Sequence, residues 1–138
     1  MRHDAGSSLI ESLAALAVFA IGSACHGAWT LQSMATHARA SRLIAATTIA
    51  VSLEARMRAN PAGVLAGDYG EGNASRGRCA EGCDARRQAS HDLASFRALL
   101  TRRIGPAASG HVACAENGEC AIAIAWMEHE ILRWVFRP

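Results

Sequence analysis

The sequence predicts an α+β chain: one long N-terminal helix, its first half embedded in a membrane, packed on a small antiparallel β-sheet. Three observations predict it. Between Leu9 and Trp29 the only formally charged side chain is Glu11. No Pro precedes Pro61, and no Gly falls between Gly27 and Gly63, so the helix meets no breaker after the apolar run. Beyond residue 110 the apolar spacing changes from the helical period to a period of two around Asn117-Gly118, a strong hairpin signal.

The apolar run comes first. Its 21 residues suffice to cross ~30 Å of hydrocarbon at ~1.5 Å rise per residue. A cleaved secretory signal with Leu13–Ile21 as its apolar core is the competing reading. It fits poorly, because one Arg precedes the run and an acid lies within it. A lipoprotein reading through Cys25 lacks the usual aliphatic residue three positions earlier, where Gly22 stands. Past the run, Leu43, Ala46, Ala50, Leu53 and Met57 follow the spacing of one helical stripe. Ile44, Thr48, Val51 and Ala55 form a second stripe beside it. Asn60-Pro61 ends the helix, since the residue before proline is pushed out of the α region. One helix is therefore expected from about Ser8 to about Ala59.

From Pro61 to about Ser90 the chain is rich in Gly, Ala, Ser and charged residues and reads as a long loop. Ser90 is expected to cap a second helix, with Asp92 in its first turn favoured by the helix dipole. Leu93, Phe96 and Leu100 form its apolar face with Leu99 beside them, and Gly105-Pro106 stops it after Arg102-Arg103. A three-stranded meander follows. One face carries Ile122, Ile124 and Trp126, and on the last strand Leu132, Trp134 and Phe136. A domain this small needs a cover and cross-links, and the second half of the long helix offers the cover.

Composition bounds the function. At 138 residues there is room for one small domain plus an anchor. All fourteen basic residues are Arg, and apart from Arg86-Arg87 and Arg102-Arg103 they are scattered, with a formal charge of only +2. A nucleic-acid binder needs a concentrated basic face, so no specific nucleic-acid partner is expected. Of five cysteines, Cys25 lies in the apolar run and Cys79, Cys83, Cys114 and Cys120 lie in the C-terminal half. An export signal with four downstream cysteines implies an oxidising compartment and two disulfides, for which three pairings exist. Cys79–Cys83 and Cys114–Cys120 are favoured, the second because the two cysteines flank the Asn-Gly turn almost symmetrically. The spacing is not that of a zinc site, and no nucleophile-elbow motif accompanies the Ser, His and Asp residues. No metal, cofactor or catalytic residue is expected. An exported disulfide or metal-binding module is the alternative from another class.

Glu11 is the most informative residue, because an acid within an apolar helix needs a counter-charge or a proton. Residues 1–6, a short polar stretch ending in Gly6, followed by an apolar helix with Glu11 as its fifth residue, resemble the N-terminus of the type IV pilin superfamily. The resemblance implies cutting between Gly6 and Ser7 by a prepilin peptidase, N-methylation of the new Ser7 amine, and pairing of Glu11 with such an amine, most naturally a neighbour's, during filament assembly. Ser7 departs from the Phe or Met usual in that family. The C-terminal half narrows the likeness. Cys79, Cys83, Asp92, Leu93, Phe96, Gly105, Pro106, Gly110, Cys114, Cys120 and Trp126 together are similar to the PilV family of type IV pilus modification proteins, with Phe96 where Trp is more usual. What this implies is a minor pilin with four parts: a leader at 1–6, a transmembrane or filament-core helix half at 7–29, an amphipathic half at 30–60, and a periplasmic domain at 61–138. Its implied partners are other minor pilins, the major pilin, the inner-membrane assembly platform and a tip adhesin. Its implied role is priming of pilus assembly, in support of adhesion and twitching motility. A type II secretion pseudopilin would share the anchor and the processing.

Overall fold

The computed structural model describes residues 5–70, 82–127 and 130–138. The chain divides into two compact units, residues 1–40 and 41–138. Helix α1, Ala5–Ala59, contributes to both. In the first unit it is bare, and every side chain from Ser8 to Ala40 is exposed. Leu9, Leu13, Leu16 and Phe19 are among the large apolar side chains left open. This helix is long and apolar enough to cross a membrane.

The second unit is built on the last five turns of α1. Helix α2 covers Pro61–Leu65 and helix α3 covers Ala85–Arg103. Strands β1 (Ser109–Cys114), β2 (Cys120–Met127) and β3 (Glu130–Phe136) form an antiparallel sheet in that order. The expected stripe of α1 enters the core at Ala46, Ala50, Leu53 and Met57, joined by Ile49, while Leu43 is half exposed. The second stripe stays outside: Ile44 and Val51 are exposed, as are Thr48 and Ala55. One core takes one face of a helix, and here the buried face is the one shared with α3 and the sheet. From α3 come Leu93, Phe96 and Leu100, and from the sheet Val112, Ile122, Ile124, Trp126 and Phe136. Fully burying an Ile such as Ile122 or Ile124 contributes about 1.5–3 kcal/mol.

Two expectations are corrected. Residues 61–90 are not one loop, because α2 and a turn reaching Gly70 occupy its start and α3 begins at Ala85. The cap of α3 is Asp84, whose Oδ1 accepts from the Arg87 backbone N–H at 2.7 Å, and not Ser90. Ser90 is buried as the sixth residue of the helix and donates to the Arg86 carbonyl. Asp92 is correspondingly far from the helix N-terminus.

The hairpin forms as its sequence dictates. Cys114 pairs with Cys120 in register and the two are joined by a disulfide, with Cα atoms 4.0 Å apart. Gly118 takes φ +78° in the turn, a conformation that favours glycine, and Asn117 Oδ1 accepts from the Glu119 N–H. A register shift between Ala125 and Met127 marks a bulge before β3. Gly110 lets β1 approach α3. A Cβ there would lie 2.6 Å from the ring of Phe96 and 2.8 Å from Leu100.

Candidate functional site

Two groups of residues carry chemistry, one on the bare helix and one in the folded unit. On the helix, Gly6 and Ser7 fall in the first turn of α1 and Glu11 follows one turn later. Glu11 is exposed and has no partner among the described residues. Ile10 and Leu13 beside it are also exposed. An ionised carboxylate set on that surface costs about 3 kcal/mol at the centre of a bilayer, so the apolar run presents one expensive charge, with no partner for it among the described residues. The hydroxyls on α1 behave differently. Ser12 and Thr30 donate to the carbonyls of Ser8 and His26, four residues earlier, at 2.8 and 2.9 Å. Thr36, Thr47 and Thr48 do the same. Cys25 is a free, exposed thiol.

In the folded unit, the sequence reading missed a buried polar knot. The Asp92 side chain is 0% exposed. Its Oδ2 accepts from the Tyr69 hydroxyl at 2.9 Å, and its Oδ1 accepts from Arg56 Nη1 at 3.1 Å and Gln88 Nε2 at 3.3 Å. The Tyr69 oxygen accepts in turn from Asn60 Nδ2 at 3.2 Å. Asn60 also donates to the Ala85 carbonyl and accepts from the Gly63 N–H, which caps α2. The chain of bonds thus ties the end of α1, the start of α2, the turn at Tyr69 and the middle of α3. Burial is the largest influence on the Tyr69 hydroxyl and holds it well above the ordinary tyrosine range; the Asn60 bond opposes this and Asp92 reinforces it. A second tie joins α1 to the sheet. Glu54 accepts from Trp134 Nε1 at 2.7 Å through one oxygen and from Arg58 through the other. Among the described residues no buried side-chain nitrogen or oxygen lacks a partner.

The knot had one sequence signal, the lone tyrosine. Tyr69 sits in a Gly- and charge-rich stretch where a large aromatic ring has no local reason to be. Asp92 and Tyr69 are buried too deeply to meet a substrate, and their geometry suits fixing elements in place. A cleft of about 520 Å³ is lined by Pro61, Val64, Leu65 and the Cys114–Cys120 hairpin, with Glu116 the charged side chain among its lining residues. It offers mainly apolar contact.

Of the four C-terminal cysteines, Cys114 and Cys120 are joined as expected, and Cys83 is disulfide-bonded. Cys79 lies outside the described residues. Among the described residues no cluster of three His, Cys, Asp or Glu side chains could hold a metal. No family model, curated protein or solved structure matches this chain.

Proposed function

We propose that the chain is a minor pilin of a type IV pilus, of the PilV kind, that helps to prime assembly at the pilus tip. The observation that carries this reading is Glu11: an acid without a partner among the described residues, on a bare apolar stretch of a helix that continues into a folded unit. Such a helix needs two things from its surroundings, an apolar environment and a positive charge. A bundle of like helices supplies both if each subunit brings a free amine close to the position of Glu11. Cutting between Gly6 and Ser7 by a prepilin peptidase creates that amine. Before assembly the helix anchors the subunit in the inner membrane with the folded unit in the periplasm. During assembly it leaves lipid for the bundle, and pairing of Glu11 with a neighbour's amine sets its depth. An opposed pair costs less in the bundle than either charge alone. The partners in this role are other minor pilins, the major pilin, the assembly platform and a tip adhesin.

The test is the mass of the native chain. It should begin at Ser7, with or without one added methyl, and Glu11→Ala should insert in the membrane normally but fail to enter filaments. A mature chain that retains residues 1–6, or Glu11→Ala subunits incorporated at the wild-type level, would overturn the reading.

A further inference from the structure

The chain has three asparagines, Asn60, Asn73 and Asn117. An asparagine loses its amide when the backbone nitrogen of the next residue attacks the side-chain carbon and closes a ring. That attack needs an N–H on the next residue, open space around it and a peptide free to turn. Asn60 meets none of these conditions. Pro61 follows it and has no N–H, and the Asn60 side chain is buried and bonded through both its nitrogen and its oxygen. Asn73 lies outside the described residues, and the methyl of the following Ala74 crowds the approach. Asn117 is followed by Gly118, whose lack of a Cβ leaves the peptide free to turn. Ala115, Glu116, Asn117 and Gly118 are all exposed.

The hairpin turn prepares the reacting groups. Asn117 Oδ1 accepts from the Glu119 N–H at 3.0 Å. A donor on that oxygen draws electron density from the side-chain carbon and stabilises the charge that attack places on the oxygen. The Gly118 N–H donates to the Ala115 carbonyl at 3.0 Å. This bond has to open before the nitrogen can turn toward the side chain. It closes a turn of exposed residues, so its opening is local and leaves the sheet in place. Beneath the turn the Cys114–Cys120 disulfide ties β1 to β2. A change in the backbone beyond that tie is therefore held away from Val112 and Ile122, the next pair in register, which are both buried.

We propose that Asn117 is a site of spontaneous modification, converted through a succinimide to aspartate and isoaspartate with water as co-reactant, and that the Cys114–Cys120 disulfide confines the change to the turn. In the first step the Gly118 nitrogen bonds to the Asn117 side-chain carbon. The bond from that carbon to its amide nitrogen breaks, and the Gly118 proton leaves with ammonia. In the second step water adds to one of the two ring carbonyls, and the bond from that carbonyl to nitrogen breaks. One opening leaves aspartate. The other leaves isoaspartate, with a backbone longer by one methylene. Nothing is oxidised or reduced. Either product adds a negative charge between Glu116 and Gly118, which both line the cleft of about 520 Å³. A mainly apolar cleft thereby has a carboxylate added beside that of Glu116. The inference stands on the hairpin alone and does not require the filament reading.

The full chain in detergent micelles, aged in mildly alkaline heavy-oxygen water and digested in ordinary water, tests it by mass spectrometry. The peptide holding residue 117 should take up one heavy oxygen at that residue. The peptide holding Asn60 should take up none, and the one holding Asn73 should do so more slowly. Asn117→Gln, whose ring would be one atom larger, should lose the uptake. The aged chain, one negative charge richer, separates from the unaged chain by anion exchange. Its Ile122 and Ile124 methyl signals in nuclear magnetic resonance should match those of the unaged chain. No uptake at residue 117, uptake as fast at Asn60 or Asn73, or uptake that survives Asn117→Gln would overturn the site. Displaced Ile122 and Ile124 signals in the aged chain would overturn the confinement.

Discussion

Asp92→Ala should be the most damaging single change in the polar knot. The side chain is 0% exposed and accepts from three donors. A hydrogen bond to a charged group contributes about 1.5–3 kcal/mol. Tyr69 is 2% exposed, so its hydroxyl has no water to turn to and its full share is lost. The Arg56 side chain is 41% exposed, and water can replace the carboxylate there. Its share is about 0.5 kcal/mol, in the range of a solvent-screened pair. Gln88 is half-buried and can likewise turn to water, so it adds little; the sum is about 3 kcal/mol, which corresponds to a fall of roughly 15 °C in the melting temperature of a unit this size. Thermal melting of the full chain in micelles, followed by near-ultraviolet circular dichroism, measures it. Tyr69→Phe alone should cost about 1 kcal/mol, the scale of one net hydrogen bond. In the Asp92→Ala background it should cost less, because the acceptor has already gone and only the bond from Asn60 remains to be lost. A fall of under about 4 °C for Asp92→Ala, equivalent to 1 kcal/mol or less, would refute the reasoning. So would additive effects in the double variant, since residues sharing a bond must couple.

Other outcomes follow from the same geometry. The Tyr69 hydroxyl has its folded pKa raised above the ordinary value of 10.0. It therefore contributes stability that is fully present below pH 10 and lost as pH rises beyond it. Melting temperatures measured from neutral to strongly alkaline pH should fall more gently in Tyr69→Phe than in the wild-type chain. Gly110→Ala drives a methyl to 2.6 Å from Phe96 and should destabilise by about 1–3 kcal/mol, seen as a lower urea midpoint. Replacing Cys114 and Cys120 together by Ala opens a loop of six residues' separation and should cost about 2 kcal/mol on the loop-entropy estimate, measured the same way under non-reducing conditions.

Much of the architecture was legible because it is local. The span of α1 follows from an unbroken run ended by Asn60-Pro61, and the hairpin from Asn117-Gly118 between alternating apolar residues. The face of α3 was legible in Leu93, Phe96 and Leu100. Its start was not. The first two turns, from Ala85 to Asp92, contain no large apolar residue, so the periodic signal begins only at Leu93 and the capping residue Ser90 looked like the entrance. The knot was hidden for another reason. Asp92 meets Arg56 and Tyr69, which lie 36 and 23 residues away in the chain, and no local pattern announces contacts over that distance. The resemblance to the pilin superfamily at the N-terminus rests on Gly6 and Glu11, which the fold of the second unit does not bear on.

The hydroxyls that close back onto α1 have a consequence for how the helix travels. Ser12, Thr30 and Thr36 keep their protons engaged on the helix's own carbonyls, so they ask nothing of whatever surrounds them. A rod so equipped is indifferent to its milieu at these positions: transfer from oil to protein, or back, breaks none of those bonds. Within the apolar run from Leu9 to Trp29 the one formally charged side chain is Glu11, so the largest energetic contrast between two environments falls on one carboxylate near one end.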